Sequence, residues 1–229
     1  MGTSFIGPLA PDNGPEPPNL PRPRVGAMII ASRGHAPSIH ESAYVAPSAV
    51  VCGDVTIGEG SRVLHGAVLT SEGGPITIGQ RVVIMENAVV KGRPRHPVTI
   101  GDHVLVGPHA HINGATIERE CFIATGASLF PGSLAREGCE VRVNAVVQVN
   151  TALAPRSVVP IGWVAVGDPA QLASADEHEE VWRIQQGLDF PGTVYGATRM
   201  TPMTEIMDGQ SEAYGAHLDD EVLDGPAAP

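Results

Sequence analysis

Seven basic side chains, lysine, arginine or histidine, fall within one stretch, Ile84 to Ala115, which reads IMENAVVKGRPRHPVTIGDHVLVGPHAHINGA. Lys91, the only lysine of the chain, is followed by Arg93, Arg95 and His96, and then by His103, His109 and His111. The first four form a compact basic group. Arginine grips a carboxylate or phosphate with two parallel N–H donors, whereas lysine offers a point charge or, once desolvated, a base or nucleophile. In a chain of formal charge -11 such a group is expected to draw in a small anionic ligand. His109 and His111 are spaced i, i+2 and so are expected on one face of a straight strand. With His65, His96 or a histidine of a neighbouring subunit they would supply three nitrogens, a site for a divalent metal such as zinc. A third chemistry is general-base catalysis by His96, because an imidazole of ordinary pKa suits removal of a proton from a hydroxyl or amine.

What must position these groups is a rhythm of six. Aliphatic residues recur at Val51, Ile57, Val63 and Leu69. The phase resumes after three extra residues at Ile78, Ile84 and Val90, and after four more at Ile100, Val106 and Ile112. After a one-residue slip it runs on through Ile117, Ile123 and Leu129. Ala67, Ala88, Ala110 and Ala127 hold the fourth place after the aliphatic residue. A helix needs a period near 3.6 and a lone strand a period of 2, so neither explains this pattern. A period of six with an obligatory apolar residue describes one flat face of a triangular coil, about 18 residues per turn, whose stacked turns enclose the aliphatic columns. These residues are core. From Ala135 to Val159 the rhythm blurs, and PIGWVAVGDPAQ is expected to close the coil.

Flanking segments differ in kind. Residues 1–36 are read as a Pro-rich arm, with one short strand at Met28-Ile29-Ile30, and 37–171 as the β-helix domain. Residues 172–190 are read as a helix opened by Ser174, with Val181, Trp182, Ile184 and Leu188 on its apolar face. Residues 191–229 form an acidic tail whose final dozen residues are expected to be disordered. The negative charge argues against nucleic-acid and acidic-membrane partners. Cys52, Cys121 and Cys139 are odd in number and lack a CxxC, so no disulfide framework or cysteine-type zinc site is expected. The first residues show no charged-then-apolar pattern and no apolar run approaches about 18 residues, so no leader and a cytoplasmic setting are expected.

The segments GDVTIGEGSRVLHGAVLTSEGGPITIG, VIMENAVVKGRPRHPVTIG and IGDHVLVGPHAHINGATI, with the exit VGDPAQ, resemble the γ-class carbonic anhydrases of the hexapeptide-repeat superfamily. The resemblance covers Ala46 to Gln171 and implies an all-β, left-handed parallel β-helix with a C-terminal α-helix, assembled as a homotrimer. It further implies an interface site in which three histidines hold zinc or a similar divalent ion. By spacing, those ligand positions fall on Lys91, Pro108 and Asn113. The family's structural arginine falls on Thr70, its acidic partner on Glu72, its glutamine on Met85 and its aspartate on Glu86. The expectation is therefore a pocket without the usual zinc set. Lys91, His96, Glu86 and Asn113 stand at its reactive positions, Arg93, Arg95 and Glu72 bind a bicarbonate, carboxylate or phosphate, and His109 and His111 come from the same or the next chain. The alternatives are a metal-dependent lyase or hydratase using His109, His111 and His65, a coenzyme A-dependent acyltransferase, and a non-catalytic structural trimer.

Overall fold

The computed structural model describes residues 26–223, so the expected N-terminal arm lies outside the described residues as far as residue 25, and so do residues 224–229. Strands of two to four residues stack in parallel into two seven-stranded sheets and one ten-stranded sheet, wound as a solenoid of about eight turns. Along the ten-stranded sheet Val51, Leu69, Val90, Ile112, Leu129, Val147 and Ala165 stand in register, one per turn. All are fully buried. Ile57, Ile78, Ile100 and Ile117 form the matching column of the second sheet, and Val63, Ile84, Val106 and Ile123 that of the third. Each such side chain contributes roughly 1.5–3 kcal/mol by leaving water, so the columns are the main source of stability.

The rhythm that blurs in the sequence is continuous in the structure. Ala135, Val141, Val147, Leu153, Val159 and Ala165 are all buried and lie six apart. It is masked because alanine fills the inward place at 135 and 165, while outward places carry valines such as Val143 and Val158. The solenoid also starts earlier than expected: Met28–Ala31 pairs with Val50–Cys52 and sends Ile29 into the core. Cys52, Cys121 and Cys139 are buried free thiols.

The three outer faces meet different surroundings. Thr56, Thr77, Thr99 and Thr116 form an exposed ladder on one. A second is apolar, with Leu105 beside Phe122, and with Phe122 44%, Val158 37% and Ile161 66% exposed. The third, the ten-stranded sheet, lies under the C-terminal segment. In place of one helix over 172–190 and a loose tail, the chain forms α1 (His178–Gln185), α2 (Phe190–Tyr195), α3 (Met203–Tyr214), a 3-10 turn (Gly215–Asp219) and a final strand, Glu221–Leu223. Ser174 binds the Glu177 carboxylate, and α1 begins only after Glu177. Val181 is the buried anchor of α1, which packs on Val164–Val166. The last strand pairs antiparallel with Met28–Ala31, Ile29 opposite Leu223. The C-terminal segment is thus a strap that returns along the solenoid to its first turn.

Inward columns and outward ladders should respond differently to truncation. Ile112→Ala is expected to cost roughly 2–5 kcal/mol in chemical denaturation, as a cavity in a packed core does. Thr99→Ala on the exposed ladder should stay within about 0.5 kcal/mol.

Candidate functional site

Every irregularity in the six-residue rhythm falls at one corner, where the ten-stranded sheet turns toward the threonine face. Loops at Ser32–His35, Glu72–Pro75 and Arg93–Pro97 protrude there. Ser32 and His35 are bridged antiparallel, as are Arg93 and His96, so SRGH and RPRH form matching small hairpins. The loops are stacked by backbone contact. Glu72 N–H donates to Gly92 C=O at 2.9 Å and Gly114 N–H to Lys91 C=O at 2.9 Å. A side chain at Gly74 would bring its Cβ to 1.9 Å from the Arg93 carbonyl oxygen, and one at Gly114, where φ is +56°, to 2.7 Å from His96 Cβ. Only glycine allows so close an approach.

Between these loops and the strap lies a cleft of about 220 Å³, lined by Arg33, Arg93, Arg95, His96, Tyr195 and Tyr214 among others. Its charged lining is three guanidinium groups and one carboxylate, Glu72. The Arg93 Nε–H donates to Asn113 Oδ1 at 3.2 Å, and an Arg33 Nη2–H donates to the Ala213 carbonyl at 2.8 Å, so both arms are held. Burial, with the Arg95 charge behind it, pushes the His96 pKa below its ordinary value, so this imidazole is neutral near pH 7.

Lys91 occupies a different place from the one expected. Glu72 and Tyr214 line the cleft; Lys91 touches both, with Nζ 3.8 Å from Glu72 Oε1, 3.3 Å from Tyr214 Oη and 5.1 Å from the Tyr214 ring centre. Its charge is spent on the cleft wall. Glu72, 8% exposed, also meets His217 Nε2 at 3.0 Å, while His217 Nδ1 meets Asp220 Oδ2 at 2.8 Å. Asp220 in turn accepts a weak contact from the Cys52 thiol at 3.8 Å. Hydrogen bonding to Asp220 raises the His217 pKa despite burial, with Glu72 adding to the effect. Burial, then Asp220, raises that of the Cys52 thiol.

The remaining expected residues are dispersed. Asn113 pairs with Lys91 across adjacent strands, but its amide oxygen is committed to Arg93. Pro108 sits on another corner and offers no donor. An ammonium, a committed amide and a proline do not fit a zinc ion. Glu86 lies on the turn below His109, its carbonyl bonded to the His109 N–H, outside the cleft. His109 does not share the face of His111: it is an exposed corner residue at φ +58°, and the strand begins only at His111. His65 is bonded to Ser48, so His65, His109 and His111 do not converge within one chain. His103 is likewise an exposed corner residue. Arg33, Cys52, Tyr214, His217 and Asp220 escaped the sequence reading. An echo of RPRH in SRGH was the available signal for Arg33; the others had none.

A parallel solenoid whose turns are built of three six-residue faces, carrying a loop-lined corner, defines a hexapeptide-repeat protein. Its relatives narrow this further. The chain is 36% identical over 158 residues to gamma carbonic anhydrase 1, mitochondrial, of Arabidopsis thaliana, covering 66% of this chain and 55% of that protein. It is 28% identical over 173 residues to a carbonic anhydrase of Geobacillus kaustophilus, covering 74% of this chain and 92% of that one. Over 92 residues it is 32% identical to the uncharacterized transferase YtoA of Bacillus subtilis, covering 40% of this chain and 54% of that protein. No protein-family model matches. The chain spans about half the length of the Arabidopsis relatives it matches. It is a γ-carbonic anhydrase-like protein of the hexapeptide-repeat superfamily.

His111 gives a test of the electrostatics. Burial, then the charges of Lys91 and Arg93, lowers its pKa. Its folded pKa lies below the unfolded value near 6.5, so the folded state binds fewer protons. Stability is whole above about pH 6.5 and is lost as pH falls through the folded value. Between pH 7 and 5, His111→Gln is expected to lose less thermal stability than the wild type. The paired comparison removes the opposite contribution of His217.

Proposed function

We propose that the chain is a homotrimer whose corner cleft binds a small anion, a bicarbonate, carboxylate or phosphate. The observation that carries this reading is three guanidinium groups around one small cleft in a chain of net charge -11. Their field runs against that of the whole molecule, and Glu72 is already matched by Lys91 and His217. A cleft of about 220 Å³ is smaller than the roughly 300–1,000 Å³ of sites for drug-sized ligands and suits a small molecule. Arg95, the exposed arm of the RPRH loop, meets the anion first; Arg93, fixed by Asn113, sets its orientation. The neutral His96 accepts the proton of an anion that still carries one, such as bicarbonate or a phosphate monoester. The trimer is supported by the exposure of the large apolar side chains Phe122, Val158 and Ile161 on one face of the solenoid. No hydration step through a three-histidine zinc centre is assigned to Lys91, Pro108 and Asn113.

Calorimetric titration with phosphate and with bicarbonate tests the cleft. Arg95→Gln is expected to weaken binding at least about tenfold, the loss of one charge-assisted hydrogen bond of roughly 1.5–3 kcal/mol. Unchanged affinity would remove the proposal. Coenzyme A is expected to leave the melting temperature unmoved, and a marked rise would favour the transferase reading. Light scattering should give the mass of three chains, and of one chain for Phe122→Arg.

A further inference from the structure

The Glu72 network ends in a group of side chains that the anion site does not use. Cys52, on the strand Val50–Cys52, faces outward yet is 4% exposed because the strap covers it. His217 and Asp220, from the turn before the last strand, reach over it. Cys52 Sγ, one ring nitrogen of His217 and a carboxylate oxygen of Asp220 lie within 4.8 Å of one another. Among the described residues this is the one group of three or more His, Cys, Asp or Glu side chains so arranged.

Two buried oxygens beside it make no hydrogen bond of ordinary length and angle: Asp220 Oδ1 and the hydroxyl of Ser32, a residue 2% exposed. The Ser32 hydroxyl lies near enough to Cys52 and to Asp220 to favour the charged form of each. Buried polar atoms so loosely matched are uncommon, and this hydroxyl adds an oxygen donor to the thiol, imidazole and carboxylate gathered there. On the far side of the imidazole, Glu72 Oε2 holds His217 Nε2 at 3.0 Å. That leaves Nδ1 as the nitrogen facing Cys52 and Asp220, the carboxylate–histidine arrangement that orients metal-bound imidazoles.

We propose that Cys52, His217 and Asp220, with the Ser32 hydroxyl beside them, form a site for zinc or a similar borderline divalent cation that clips the strap to the first turns of the solenoid. Thiolate, imidazole and carboxylate together select such an ion over magnesium or calcium. Bond lengths of about 2.0–2.3 Å place tetrahedral ligands roughly 3.3–3.7 Å apart. The Sγ–Oδ2 separation is 3.8 Å already, and the Nδ1–Oδ2 pair at 2.8 Å needs to open by roughly half an ångström. The charges balance: the cation displaces the proton on His217 Nδ1 and the thiol proton of Cys52, two positive charges in and two protons out. The ligands come from turns near the chain's start and from its far end, 168 residues apart between Cys52 and Asp220. The ion therefore closes a long loop, and it fixes Tyr214, one wall of the anion cleft.

The test uses the full chain without a histidine tag, stripped by a chelator and then titrated with cobalt(II) or zinc. About one equivalent should bind per chain, and cobalt should show thiolate-to-metal charge-transfer absorption. Cys52→Ser should abolish that absorption and, like Asp220→Asn, weaken zinc binding at least about tenfold. No uptake, cobalt uptake without the thiolate band, or a Cys52→Ser protein binding zinc as well as wild type would each overturn the site. Should that variant fail to fold, X-ray absorption of the wild-type zinc protein decides. One sulfur neighbour at about 2.3 Å is expected, and a shell of nitrogen and oxygen alone contradicts it. Anion binding by the Arg95→Gln protein is a separate readout, so either proposal can fail without the other.

Discussion

A carboxylate taken out of water must find partners of opposite charge or enough donors, because its desolvation is otherwise not recovered. Glu72 meets that demand from two directions: Lys91 on the neighbouring turn and His217 on the strap. The first partner is supplied by the solenoid itself. The second exists only when the strap lies across the ten-stranded sheet, so one buried charge ties the chain's last elements to its middle. Tyr214 over the Lys91 ammonium, Arg33 on the Ala213 carbonyl and the Ile29–Leu223 pairing then gather round the same place.

From this follows a division of labour among the faces. Threonines leave one in water. A second presents Phe122, Val158 and Ile161 to solvent, and the third is closed internally by the strap. At its far end Phe130 packs between His111 and Phe190, and Asn150 donates to the Leu188 carbonyl and Thr193 Oγ1. Polar pins at both ends and aromatic packing between them hold a segment that buries few residues of its own: Val181 is the only buried residue of its three helices. Few buried apolar contacts mean low local stability, so the strap is the part of the molecule most dependent on its polar pins.

How much of this was legible in the chain depends on whether partners share a local rule. The solenoid was, because a six-residue period imposes the same inward place on Val51, Leu69, Val90 and Ile112 whatever lies between them. Arg93, Arg95 and His96 were legible as one protruding loop because they form an insertion into that period, and insertions must leave the coil. His109 was misplaced for the converse reason. Spacing of two implies a shared face only on a straight strand, and residue 109 is a corner at positive φ. The contacts of Lys91 were not legible, since its partners Tyr214 and Glu72 lie on the strap and on the preceding turn. Nothing in the acidic C-terminal composition shows that His217 will meet a carboxylate 145 residues away.

Hydrogen exchange on the wild type and on Glu72→Gln reads the dependence of strap on buried charge most directly. Amides of α3 and of Glu221–Leu223 should exchange markedly faster in the variant, while those of the central turns, Val90 and Ile112 among them, keep their protection. Equal protection of the strap in both proteins, or a loss spread evenly over the whole solenoid, would contradict the account.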